Sequence, residues 1–200
     1  MDAIDAMRTR RSLRQLAARV VPREIVDEVL ALACVAPAPH HTRPWRYAVV
    51  SPERRAALAD AMGAAWRTDL ERDGHPEPLI EKLLRKSTRQ ITAAPALILA
   101  CLTHDGLRDW PDDRRARNEF AMAQQSIGAG MQNIMLGAHA LGLASYWISA
   151  PLFAPEACAR ALELPDGYVA QAFIVIGYPA DGAAPKPRPA ADLSSLIIER

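Results

Sequence analysis

The chain has 200 residues, 50% of them hydrophobic and 24% charged, which is enough for one domain with a real core and short for two. Twenty-four basic residues against 23 acidic ones leave a net charge of +1, which argues against a dedicated nucleic-acid binder, whose phosphate contacts demand a basic excess. The three cysteines, Cys34, Cys101 and Cys158, are dispersed and form no C-x-x-C pair, so each is read as a buried small hydrophobe in a reducing cytoplasm, with no metal site expected. Met1 to Arg14 holds no apolar leader core, and no stretch approaches the roughly 20 apolar residues of a membrane span, so a soluble, cytoplasmic protein is expected.

In chain order, Asp2 to Met7 reads as a short helix leading into the basic segment Arg8 to Arg14. A helix follows over Arg23 to Ala36, with Ile25, Val29, Leu32 and Ala36 on one face, Pro22 at its first turn, and Pro37 and Pro39 stopping it. The loop Pro37 to Pro44 leads into a strand over Trp45 to Val50. Two amphipathic helices, Arg54 to Leu70 and Leu79 to Thr92, flank the loop Asp73-Gly74-His75-Pro76. The apolar run Ala96 to Cys101 is a buried strand, and a long helix is predicted over Asn118 to Leu141. Gly128, Gly130 and Gly137 lower helix propensity there, so they are expected to admit a close neighbour. Ser145 to Ser149 and Ala172 to Gly177 complete the strands, and the rest is proline-rich with an apolar end, Leu193 to Ile198. Widely spaced strands separated by helices give a single layered domain over residues 1–200, α+β or α/β. The long helix is apolar on more than one face, which a second subunit would cover most easily.

The arginine cluster Arg10-Arg11-Ser12-Leu13-Arg14 has the chemistry of a phosphate site, since guanidinium groups give paired, charge-assisted hydrogen bonds and a serine hydroxyl adds another. The same run also fits a solvated basic patch. Lys186-Pro187-Arg188 is a second basic element, held extended by its prolines; the two elements would clamp one phosphate if the ends of the chain meet. A dinucleotide fingerprint is absent, because Gly128-Ala129-Gly130 lies inside the long helix and follows no strand, and there is no Walker A motif. The loop Pro37 to Arg46 packs two histidines, two arginines and an indole between stiff prolines, suiting an anionic or aromatic ligand or serving as a rigid connection. No serine, histidine and acid form a recognisable nucleophilic pattern.

Arg10-Arg11-Ser12-x-Arg14, the loop ending in Pro44-Trp45, Gly142-Leu143-Ala144-Ser145-x-Trp147, Gly177-Tyr178-Pro179 and Lys186-x-Arg188 together resemble the nitroreductase family over nearly the whole chain. Within it, Ala36 to Pro44, Trp66-Arg67-x-Asp69-Leu70, Asp73-Gly74, Trp147-Ile148-Ser149 and Pro189 to Leu193 resemble the C-terminal nitroreductase-like domain of bifunctional coenzyme F420 biosynthesis proteins, here without the ligase domain, as in a free-standing reductase. The resemblance implies an α+β nitroreductase-like fold, a mostly antiparallel central sheet flanked by helices, in an intertwined homodimer. It implies an FMN-dependent oxidoreductase, reduced by NAD(P)H or another external donor, that passes hydride from flavin N5 to a dehydro-F420 precursor. FMN would be held by Arg10, Arg11, Ser12 and Arg14, by Lys186 and Arg188, and by Lys86 and Arg89. Pro39, His41 and Arg43 would reach it from the opposite subunit. Ile148 and Ser149 would lie near N5, with Ser149 positioning it; His41 would donate a proton, and His40, Arg43 and Arg46 would bind an anionic substrate, F420 or its precursors. Ordinary members usually carry Asn and Gln where His41 and Arg43 stand, and a Pro-x-Glu-Gly turn where this chain has Ile148 to Pro151. Other expectations on the same fold are a general NAD(P)H nitroreductase or quinone reductase, a flavin-destroying enzyme, and a non-catalytic flavin- or F420-binding module.

Overall fold

The computed structural model describes residues 1–200 and is built on one four-stranded sheet. Its strands are β1 (Trp45–Val49), β2 (Ala96–Leu102), β3 (Ala144–Ile148) and β4 (Val169–Gly177), ordered β1-β2-β4-β3 and antiparallel at every pairing. The helices are α1 (Ala3–Thr9), α2 (Arg23–Ala33), α3 (Arg55–Arg72), α4 (Glu77–Thr92), α5 (Asp113–Ala140), α6 (Ala150–Phe153), α7 (Pro155–Leu162) and α8 (Leu193–Leu196). The fold is α+β, with helices on both faces of the sheet.

The central strands β2 and β4 are buried on both faces, which is why Ala96-Leu97-Ile98-Leu99-Ala100-Cys101-Leu102 reads as an unbroken apolar run. Side chains alternate by strand periodicity: Ile98, Ala100, Leu102, Ile174 and Ile176 pack with Val29 of α2 and Ile127, Met131 and Ile134 of α5. Leu97, Leu99, Cys101, Phe173 and Val175 face the other way, onto Leu58 and Met62 of α3 and Cys158 of α7. Each such fully buried leucine, isoleucine or phenylalanine contributes roughly 1.5–3 kcal/mol of transfer free energy, which fixes the strand register against a one-residue slip.

Several boundaries differ from the sequence expectation. α5 begins five residues early because Asp112 caps it, accepting the backbone N–H of Arg115 at 2.9 Å; its first turns are polar and carry no apolar period. α2 stops at Ala33, and Cys34 at its C-cap is exposed rather than buried, whereas Cys101 and Cys158 are buried. α6 and α7 had no counterpart, although Pro151 and Pro155 stand at their first turns. Of the three helix glycines, Gly130 lets the α2 carbonyl of Ala33 approach to 3.2 Å of where a Cβ would stand, and Gly137 makes room for Leu32. Gly128 faces open space, so close packing does not explain it.

Candidate active site

The two basic elements meet. α1 is capped by Asp2 and ends at Thr9, and Arg10 leaves it with extended backbone (φ −53°, ψ 133°). The following segment is stitched along the β3 edge: Ser12 bridges Ser145, and the Leu13 N–H donates to the Ser145 carbonyl at 3.3 Å. It then crosses to the end of β4, where Ala17 N–H donates to Tyr178 O at 2.9 Å and Ala180 N–H to Gln15 O at 3.1 Å. Gly177 permits this crossing, since a Cβ there would sit 2.7 Å from Pro95 Cγ and 3.1 Å from Leu16 Cδ1. The crossing turns the chain so that the tail beyond Ala183 runs back over the arginine cluster.

A cavity of about 560 Å³ lies between them, walled by residues 10–15 and 184–188. Arg10, Arg11, Arg14, Lys186 and Arg188 line it and no carboxylate does. Arg188 Nη2 donates to the Arg10 carbonyl at 2.9 Å, and Arg11 Nη1 donates to the carbonyls of Arg8 and Arg10, each at 2.9 Å. Arg14 lies over the Tyr146 ring, 5.5 Å from its centre. Arg10 Nη1 is buried with no hydrogen-bond partner. Burial, and then Arg188 and Arg11 beside it, push the Arg10 pKa down. Concentrated positive charge around a buried, unpartnered guanidinium N–H has the chemistry of an anion site.

A second cavity, of about 610 Å³, opens where β3 ends. Ile148 and Ser149 form one wall, Met62 and Trp66 of α3 another, and Lys86, Ser87 and Gln90 of α4 a third. Leu83, Lys86, Ser87 and Gln90 share one helical face by their three- and four-residue spacing. Lys86 lines this wall and Arg89 does not; Gln90, which the sequence reading passed over, stands one turn from Lys86 in the same wall. Trp66, quoted only for its resemblance, also lines the cavity. Ser145, bridged to Ser12, and Ser149, in this second wall, are four residues apart on one extended run, about 13 Å at ~3.3 Å per residue. The two cavities therefore lie about one strand length apart, and Asp69 and Asp73 also line the second.

The loop His40 to Pro44 stands elsewhere. It precedes β1, the opposite edge strand, with β2 and β4 between it and β3. Three of its residues have left-handed backbone, His40 (φ 50°), His41 (φ 57°) and Arg43 (φ 50°), a conformation side chains rarely adopt without function or strong restraint. The restraints are visible: Ser126 Oγ donates to the Pro37 carbonyl, Thr42 Oγ1 to Pro39 O at 2.8 Å, and Thr103 N–H to Pro44 O at 2.9 Å. Arg46, expected to bind substrate, instead donates to the carbonyls of Arg43 (3.0 Å) and Trp45 (2.9 Å) and pairs with Asp105 at 3.5 Å, bracing the loop. His40 Nδ1 lies 3.5 Å from Arg108 Nη2. Beneath them buried Glu119 accepts from Trp110 Nε1 at 3.1 Å and from the Arg108 N–H at 3.3 Å, bonds that hold its carboxyl below the usual range. Within one chain, Pro39, His40, His41 and Arg43 do not join the arginine cluster.

With this geometry in hand, the profile of the nitroreductase family matches residues 7–178. A Methanothermobacter thermautotrophicus protein, named as a candidate NADH dehydrogenase/NAD(P)H nitroreductase, is 28% identical over all of this chain and 88% of its own length. Drosophila melanogaster iodotyrosine deiodinase is 27% identical over 97% of this chain and 68% of its own. Among solved structures, a BluB-like flavoprotein from Clostridium difficile has the same fold (TM-score 0.81, 21% identity, covering 100% of this chain and 99% of that one). So does the FMN-dependent nitroreductase of Mycobacterium smegmatis solved with NADPH (TM-score 0.72, 21% identity, 99% and 97% covered). No helix here is long and apolar enough to cross a membrane. With its antiparallel sheet and the arginine cluster stitched to the β3 edge, the chain belongs to the nitroreductase family of oxidoreductases.

Proposed function

We propose that the chain binds FMN and, with NAD(P)H as donor, reduces small flat acceptors. One observation carries this reading: a carboxylate-free cationic cavity with an unpartnered Arg10 Nη1 lies one strand length from a second cavity walled by Trp66, Phe153 and polar residues including Asp69 and Asp73. The donor set fits a phosphomonoester, with Arg10, Arg11, Ser12, Arg14, Lys186 and Arg188 on the phosphate and ribityl side. Lys86, Gln90, Ile148 and Ser149 would border the ring, with Ser149 beside its reactive edge. When bound, FMN supplies the hydride chemistry, and the protein orients and tunes it. Arg14, held over Tyr146, is the cation placed to stabilise negative charge on the pyrimidine side.

A homodimer completes the site in this reading. The His40–Arg43 loop is too far across the sheet to serve its own cationic cavity, so a second copy would bring Pro39, His41 and Arg43 to it. Exposed apolar residues argue for such cover: Ile4 and Met7 on α1, Leu141 after α5, and Leu193, Leu196 and Ile198 in the tail. Three cysteines without partners suit a cytoplasmic setting.

The test is direct. Purified protein should retain FMN and oxidise NADH or NADPH in the presence of a quinone or nitroaromatic; a colourless protein that ignores added FMN overturns the reading. A second substrate reading, a dehydro-F420 precursor, is favoured by the histidines and arginine held in strained backbone at His40, His41 and Arg43. A gain of two hydrogens on dehydro-F420, with slow quinone and nitroaromatic turnover, would select it. A flavin- or F420-binding module without catalysis would leave the pre-reduced holoprotein unoxidised by every acceptor.

A further inference from the structure

Thr9, the last residue of α1, holds its hydroxyl 2.6 Å from the Asp5 carbonyl and 2.8 Å from His139 Nε2 in the last turn of α5. A carbonyl can only accept, so the single hydroxyl proton goes to Asp5, and Nε2 must carry the hydrogen that it donates to Thr9. The imidazole is thereby fixed in one tautomer, with Nδ1 as its basic lone pair. The next residue is Arg10, whose carbonyl receives Arg188 and whose Nη1 lacks a partner. The His139–Thr9 bond therefore ties the end of α5 to the residue just before Arg10, where the clamp begins.

The ring sits in a mainly cationic field. Arg10 and Arg11 face it from the segment after α1; Asp2, Asp5 and Arg8 are the other charges on α1, and Arg188 approaches Arg10 from the tail. Residues 133–145, the end of α5 and the start of β3, contribute no charge besides His139 itself. Burial first, and then Arg10 and Arg11, lower the His139 pKa. A phosphate dianion between Arg10 and Arg188 reverses the local field and favours the protonated ring. The added proton enters at Nδ1, so the Nε2–H bond to Thr9 survives.

We propose that His139 is a positioning residue of the anion clamp and that filling the clamp draws one proton onto its ring. The identity of the anion as FMN rests on the function proposed above; the coupling itself needs only a phosphate. The sign follows from linkage: between the midpoints of the empty and filled states, binding takes up a proton, so affinity rises as pH falls through that window.

The experiment follows the His139 ring by NMR across pH with and without FMN, and separately with inorganic phosphate. Calorimetry in buffers of different ionisation enthalpy counts protons. The expected result is a midpoint raised by about one pH unit on binding. In His139→Gln, whose amide can still donate to Thr9, FMN affinity measured above that window should be near wild type, and only the proton release of the phosphate itself should remain. In His139→Leu, FMN affinity should fall ~5–10-fold, the loss of one hydrogen bond, while riboflavin affinity stays unchanged. Identical proton uptake in wild type and His139→Gln overturns the coupling, and unchanged FMN affinity in His139→Leu overturns the positioning role. If FMN is not retained but inorganic phosphate still raises the midpoint, the FMN reading falls and this inference stands. If neither anion moves the midpoint, this inference falls.

Discussion

Two basic segments of this chain are built in opposite ways. Arg10 to Arg14 lies in ordinary extended backbone at the β3 edge, and its cations are left with unmet bonding capacity, above all at Arg10 Nη1. His40 to Pro44, just before β1, takes left-handed backbone at His40, His41 and Arg43, and Arg46 in β1 braces it through hydrogen bonds to the carbonyls of Arg43 and Trp45. The first segment has unstrained backbone and one buried, unpartnered guanidinium N–H; the second has left-handed backbone at three residues and a brace from Arg46. In the proposed reading, the unpartnered Arg10 would meet the ligand's phosphate and the strained loop would serve a second copy of the chain.

The sharpest way to break this contrast is to remove the clamp. Arg10→Ala and Arg188→Ala should each weaken FMN binding ~10–100-fold, the worth of a charge-assisted hydrogen bond, with little change in thermal stability. Fluorescence titration and thermal melts measure both; equal FMN affinity in the variants would place the anion elsewhere. Filling the β4 end should act on the same site through the fold. Gly177→Val would press on Pro95 and Leu16, destabilise by ~1–3 kcal/mol in urea unfolding, and loosen the stitched segment that carries Ser12 and Arg14. At the other edge, Arg43→Gly should stabilise the chain by ~1 kcal/mol, because glycine accepts φ near 50° without penalty, while lowering acceptor turnover. A destabilised Arg43→Gly would mean that its side chain holds the loop. The smallest effect belongs to the exposed Arg23–Asp27 pair at 2.8 Å, whose removal should change stability by less than ~0.5 kcal/mol.

The sequence was most legible where local chemistry and fold agree. The apolar run Ala96 to Cys101 was read as a buried strand and is the body of β2, and the arginine cluster, read as a phosphate site or a solvated patch, lines a cationic cavity. The meeting of Arg10 with Arg188 was not legible from spacing, because it depends on the crossing at Gly177 and Tyr178, 178 residues separating the two partners. Gln90 escaped notice because it is uncharged; the helical period linking it to Lys86 could have found it. That Arg46 donates to the carbonyls of Arg43 and Trp45 was not legible, because sequence cannot say whether a guanidinium faces its own backbone. His139 carried no signal at all: its neighbour Thr9 lies 130 residues away.

The central claim is that the two ends of the chain build a phosphate clamp for a flavin mononucleotide. Comparing FMN with riboflavin, which differ only in the phosphate, tests it most directly. Wild-type protein should bind FMN at least ~100-fold more tightly than riboflavin, and Arg10→Ala/Arg188→Ala should bring the two affinities together. Equal affinity for FMN and riboflavin in the wild-type protein would contradict the account.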